Sequence, residues 1–165
     1  MTQPSSTPAQ IARVLEHADL LHAPQQVEAA YDQMANQITE TLGAENPLVL
    51  AVLVGGLVPA GALVPRFDFP LELDYIHATR YRGREHGRDL QWRATPHVPL
   101  AGRTVLIIDD ILDEGFTLNA IVEYCEEQGA ARVASAVLVN KVHDRKTMSR
   151  ADFMGLEVAD RYVFG

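Results

Sequence analysis

Asp109 and Asp110 follow the apolar run Val105-Leu106-Ile107-Ile108 and precede a short turn carrying Asp113, Gly115 and Thr117. Clustered carboxylates offer oxygen donors to a hard cation or to sugar hydroxyls. Gly115 lets backbone N–H groups converge, and the helical pattern Leu118, Ile121, Val122, Cys125 begins directly after it, adding the partial positive charge of a helix start. A ligand combining phosphate, ribose and magnesium would satisfy every part of this turn. Two other readings of the acids fail on spacing. A phosphorelay pair needs its acceptor on a later strand, whereas Asp113 is close by, and Ile111 and Leu112 interrupt the carboxylates of a calcium loop. Solvated loop acids remain the bland alternative. Lys141, taken alone, is an ordinary surface lysine; at a strand end beside the same crevice it becomes a ligand donor. The arginines at 80, 82, 84, 88 and 93 concentrate positive charge, either as a solvated hairpin or as a steering field for a polyanion.

Positioning these residues requires a particular scaffold. Val105 to Ile108 reads as a strand buried on both faces, as does Leu48 to Val54. Gly55-Gly56 is a turn, and Leu57 to Val64 a short helix. Leu71 to Tyr81 and Gln91 to Ala94 read as a hairpin around the polar loop Arg82 to Asp89. Arg132 to Val139 is a further strand, with short strands expected at Phe153 to Val158 and Tyr162 to Phe164. At the front, one helix spaces Ile11, Val14, Leu15, Ala18 and Leu21. A second starts near Pro24, carries Val27, Ala30, Tyr31, Met34, Ile38 and Leu42 on one stripe, and stops at Gly43. Strands alternating with helices predict an α/β fold, a mostly parallel twisted sheet flanked by helices. Its ligand crevice lies beyond the carboxyl ends of the strands, near Val54 to Gly56, Asp109 to Thr117 and Lys141.

The 165 residues suit one domain over 1–165, with residues 1–10 as a frayed leader lacking the features of a signal peptide. A net charge of -8 weighs against nucleic acid as a partner, and the single cysteine fits a reducing cytoplasm. Cys125, on the apolar stripe of its helix, reads as packing. Trp92 and His77 read as structural, and the six histidines lack metal-ligand spacing. The uncharged stretch Leu48 to Val64 is too short and too interrupted by Gly55, Gly56, Pro59 and Gly61 for a membrane span of ~20 residues.

The segment Ile107-Ile108-Asp109-Asp110-Ile111-Leu112-Asp113-Glu114-Gly115-Phe116-Thr117-Leu118 resembles the PRPP-binding signature of type I phosphoribosyltransferases. Leu138 to Lys141, Asp152 to Val158 and Asp160 to Gly165 resemble the hypoxanthine-guanine members, and the similarity runs from about Leu48 to Gly165. It implies that family's fold, with a flexible hairpin lid over 79–93 and a small hood, and transfer of phosphoribose from PRPP to a 6-oxopurine with Mg2+ as cofactor. Asp109 and Asp110 would take the ribose hydroxyls, directly or through magnesium. The turn Asp113, Glu114, Gly115, Phe116, Thr117 would hold the 5′-phosphate, and Leu53 to Gly56, with Val54 and Gly55, the pyrophosphate. Asp113 would manage the proton on the purine N7. Lys141 would donate to O6, Tyr162 would stack on the ring, and the Val163 backbone would read the base edge. Arg80 and Tyr81 would ride on the lid. A lysine donor set against O6 would exclude adenine, whose amino group is another donor. The resemblance further implies a cis peptide at Leu53–Val54 and a homodimer or homotetramer.

Four departures stand out. Val54 replaces a common Lys or Arg, which leaves pyrophosphate to backbone amides. Glu114 replaces a small hydroxyl residue and must point outward to spare the phosphate. Asp109 stands where many relatives have Glu. The family pattern continues past Gly165 with an aspartate for the guanine amino group, so either the chain is truncated or that contact is missing. Xanthine preference is the nearest enzymatic alternative. A non-catalytic regulator binding nucleotide or RNA through the arginines is the alternative from another class.

Overall fold

A computed structural model describes residues 7–80, 90–147 and 151–164. Strand β1 (Leu48–Val52) is buried at every position, as expected of a strand covered on both faces. Its alternate residues serve two cores. Val49 and Ala51 pack with Leu106 and Ile108 beneath helix α2 (Pro24–Leu42) and helix α3 (Leu57–Leu63). Leu48, Leu50 and Val52 pack with Val105 and Ile107 against helix α4 (Phe116–Glu127), through Leu118, Ile121 and Cys125. The period of two along a strand therefore builds both apolar layers from the same residues.

Six strands form one sheet. Beside β1 lie β2 (Glu72–Arg80), β3 (Leu90–Ala94), β4 (Thr104–Leu112), β5 (Arg132–Val142) and β6 (Phe153–Ala159), in the order β3-β2-β1-β4-β5-β6. All neighbours run parallel except β2 and β3, which pair antiparallel; residues 81–89 between them lie outside the described set. Trp92 on β3 packs its ring 4.9 Å from Tyr124 of α4, which docks the hairpin on that layer. From β1 the chain moves one way through α3 to β2; from β4 it moves the other way through α4 to β5. The reversal falls between β1 and β4, the topological switch point where open α/β sheets bind ligands.

The amino-terminal expectations need correction. Helix α1 spans Pro8–Glu16, so helix begins inside the expected leader and ends before Leu21. Thr7 and Gln10 explain the start: the Gln10 amide oxygen accepts the Thr7 N–H at 2.7 Å, and Thr7 Oγ1 accepts the Gln10 N–H at 3.3 Å. The apolar spacing is helical, yet Ile11, Val14 and Leu15 are exposed, and no residue of α1 is buried. The strand expected at Tyr162–Phe164 is also absent. β6 is the edge of the sheet, and the chain turns at once after it, with Arg161 N–H donating to the Ala159 carbonyl.

Candidate active site

β4 continues past the end of its neighbour, and that mismatch opens the site. Its last rung with β1 is Ala51↔Ile108, whereas it stays paired with β5 as far as Leu112↔Asn140. Asp109 and Asp110 follow directly after the lost rung, so they stand within β4 and not at its exit as the sequence suggests. Their side chains leave opposite faces of the strand, Asp110 exposed and Asp109 partly buried.

Asp110 leans over the loop after β1. A Cβ added to Gly55 would lie 2.2 Å from its Oδ2, so only glycine leaves the carboxylate its place. The peptide Leu53–Val54 in this loop is cis, as the resemblance implies, and Val54 is exposed. Burial of the Asp109 carboxyl, then the charge of Asp110, push Asp109 up to about 8. No described lysine or arginine pairs with either acid. Two adjacent, mutually repelling carboxylates without a basic partner are a donor set that a divalent cation relieves, so the residues fit magnesium.

Beyond β4, Gly115 takes φ 85°, a left-handed conformation that favours glycine, and hands the chain to α4 without any side-chain cap. Thr117 and Leu118 put their N–H groups in the first turn, where the helix dipole favours an anion. Glu114, half-buried, sends its backbone carbonyl to Thr147, whose N–H and hydroxyl donate to it at 2.8 and 2.9 Å.

Asp113 joins this turn to the end of β5. Lys141 Nζ donates to its Oδ2 at 2.8 Å and His143 Nε2 to its Oδ1 at 2.9 Å. Burial pulls the Asp113 carboxyl upward, but the hydrogen bonds from Lys141 and His143 outweigh it and hold the group below the ordinary carboxylate range. Lys141 is 12% exposed and Asp113 43%, so the acid is the more open of the two. Asp113, His143 and Asp160 bring donor atoms within 4.8 Å of one another, a second grouping that could be taken for a metal site. Lys141 and Arg145 already neutralise its two carboxylates, Arg145 reaching Asp160 at 2.8 and 3.1 Å. This trio is a balanced ion-pair network, and the unneutralised pair Asp109–Asp110 is the better cation site.

The structure thus joins Asp113 to Lys141, and Asp110 to Gly55. Tyr162 is 82% exposed with its ring 5.9 Å from Phe164; Val163 lies between them. Arg80 ends β2, and Tyr81 lies outside the described residues. Sequence reasoning missed His143. Its signal was parity: in the direction of a strand, residue 143 falls on the same face as Lys141.

Comparison with known proteins bears on this arrangement. A family model described as phosphoribosyl transferase domain matches residues 17–165. A hypoxanthine-guanine phosphoribosyltransferase of Bacillus subtilis is 28% identical over 147 residues, covering 88% of this chain and 82% of that protein. A hypoxanthine-guanine-xanthine phosphoribosyltransferase of Tritrichomonas foetus is 26% identical over 147 residues, covering 88% and 80%. Among solved structures, a hypoxanthine-guanine phosphoribosyltransferase of Bacillus anthracis superposes with a TM-score of 0.81 at 25% identity, covering 88% of this chain and 86% of that one.

Proposed function

The chain belongs to the phosphoribosyl transferase family and is a phosphoribosyltransferase; from that premise we propose that it converts hypoxanthine or guanine, with PRPP, to IMP or GMP and pyrophosphate. The observation that carries this choice of base is the pair Lys141–Asp113, a donor 2.8 Å from an acceptor beside the phosphate turn. A 6-oxopurine presents O6 and N7 side by side, and paired side-chain groups grip such an edge in nucleic-acid recognition. Lys141 donates to O6 while Asp113 accepts from N7–H. Adenine offers an amino group in place of O6 and meets the ammonium donor to donor. A site built to bond one polar group rejects its mismatch by ~10⁴–10⁵ at best.

The reaction follows from these roles. The purine N9 forms its bond to the ribose C1 as the bond from C1 to the pyrophosphate oxygen breaks, and the N7 proton passes to Asp113. Proton management of this kind contributes typically 10²–10⁴ in rate. The amides from Asp113 to Thr117, with the Thr117 hydroxyl, hold the 5′-phosphate. The backbone at Val54 and Gly55 approaches the pyrophosphate. Asp109 and Asp110 would hold the ribose hydroxyls, directly or through magnesium, which when bound would neutralise charge on the diphosphate. Tyr162 and the Val163 backbone complete the base pocket.

Among the described residues, no helix is long and apolar enough to cross a membrane. A cytoplasmic homodimer or homotetramer completes the proposal, supported by the large apolar side chains left exposed on α1 and at Val58. The test is incubation with PRPP, Mg2+ and hypoxanthine, guanine, xanthine or adenine, with the nucleotide identified by mass. IMP and GMP are expected. XMP as the principal product would move the enzyme toward the base named for the Tritrichomonas foetus relative, and no nucleotide from any base would overturn the reading.

A further inference from the structure

We propose that His143 is a positioning residue that fixes which oxygen of Asp113 faces the purine; the inference rests on the functional reading above and deepens it. His143 Nε2 donates to Asp113 Oδ1, and the side chain is only 5% exposed, so this bond lies on the protein side of the carboxylate. Lys141 holds the other oxygen, Oδ2. With Oδ1 engaged, the carboxylate cannot rotate freely, and Oδ2 is the oxygen left to share between the ammonium and N7–H.

Two features make the histidine a dedicated donor. The backbone N–H of Arg145 donates to His143 Nδ1 at 3.2 Å, so Nδ1 is an acceptor and the proton sits on Nε2. The segment carrying His143 is tied to the same turn as Asp113 by the two hydrogen bonds from Thr147 to the Glu114 carbonyl. It is tied at its other side by the Arg145–Asp160 ion pair. Histidine and aspartate therefore move as one unit.

The need for a second holder comes from Lys141. When the ammonium divides its donors between Asp113 and O6, its grip on the carboxylate weakens at the moment the proton must pass. His143 touches no substrate and keeps the acceptor aimed. Reactions that depend on aim are sensitive to small displacement, and partner residues of this kind typically cost 10–100-fold when lost.

Gln and Met match each other in size and differ in the donor, so the test compares His143→Gln with His143→Met, alongside the wild type. With hypoxanthine, PRPP and Mg2+, His143→Met should lose roughly 10–100-fold in kcat with the PRPP KM little changed. His143→Gln should stay within a few-fold of the wild type, its amide replacing Nε2–H. Melting temperatures should be similar for the two variants. Equal kcat in Gln and Met variants, whether both high or both low, overturns the inference, because only a donor-dependent effect separates them. A wild type that makes no nucleotide overturns the functional reading instead, and this inference with it.

Discussion

The Asp110 carboxylate occupies the space that a side chain on Gly55 would fill, with Oδ2 2.2 Å and Cγ 2.5 Å from the position of a Cβ. The loop after β1 and the acid on β4 are thus fitted across the switch point by the absence of one methyl group. Gly55→Ala has no positive φ to violate, so the fold tolerates it while Asp110 is pushed aside. We expect a melting temperature within a few degrees of the wild type and a fall of about 100-fold in kcat/KM for PRPP, the scale of a catalytic group misplaced by ~1 Å. Thermal melts with steady-state kinetics check this; an unchanged kcat/KM would remove Asp110 from the site.

Asp113 should separate chemistry from binding. Asp113→Asn keeps the shape and loses the proton acceptor, so kcat should fall by ~10²–10⁴ with the affinity for PRPP nearly unchanged. Isothermal titration with PRPP and Mg2+, beside single-turnover rates, distinguishes the two effects.

The same carboxylate sets an acid dependence of stability. Its pKa is depressed in the folded protein, burial being outweighed by the bonds from Lys141 and His143. The stabilisation is therefore complete above the unfolded carboxylate value of ~4 and is lost as pH falls through the lower folded value. The melting-temperature advantage of the wild type over Asp113→Asn should shrink as pH is lowered below ~4.

Asp109 behaves in the opposite sense. Its pKa is raised to about 8 by burial and then by Asp110. The folded protein holds a proton there that the unfolded chain gives up, so its stability declines as pH rises from the carboxylate range toward about 8. Mg2+ favours the ionised pair and must displace that proton. Added Mg2+ should raise the melting temperature more at pH ~8.5 than at pH ~6, and Asp109→Asn should abolish that difference. A magnesium effect independent of pH would remove Asp109 from the cation site.

The single cysteine should be silent. Cys125 is fully buried in the layer beneath α4, and burial with the nearby Glu126 pushes its thiol up to about 11. Titration with a disulfide reagent should find no reactive thiol in the native protein and full reaction after denaturation, with turnover surviving the native exposure.

The central sheet was legible in the sequence because its strands are covered on both faces, and continuous apolar runs such as Val105 to Ile108 have few other uses. The acidic turn was legible because glycine, carboxylates and a helix start have a joint chemical meaning. The periphery was less so. The stripe Ile11, Val14, Leu15 has helical spacing but is exposed among the described residues, so spacing alone could not mark the end of α1. Tyr162 to Phe164 carries strand-forming residues, yet the chain turns at Arg161 straight after β6, and strand propensity alone does not show that turn. His143 escaped because histidines were weighed by metal-ligand spacing, whereas its role depends on Asp113, thirty positions away.

The claim that Lys141 and Asp113 read the O6–N7 edge of a purine is tested most directly by the ratio of kcat/KM for hypoxanthine over adenine, in the wild type and in Lys141→Met. The wild type should favour hypoxanthine by ~10⁴ or more, and the variant should lose most of that preference together with its hypoxanthine activity. A wild type that accepts adenine comparably, or a Lys141→Met enzyme that keeps the full ratio, would contradict it.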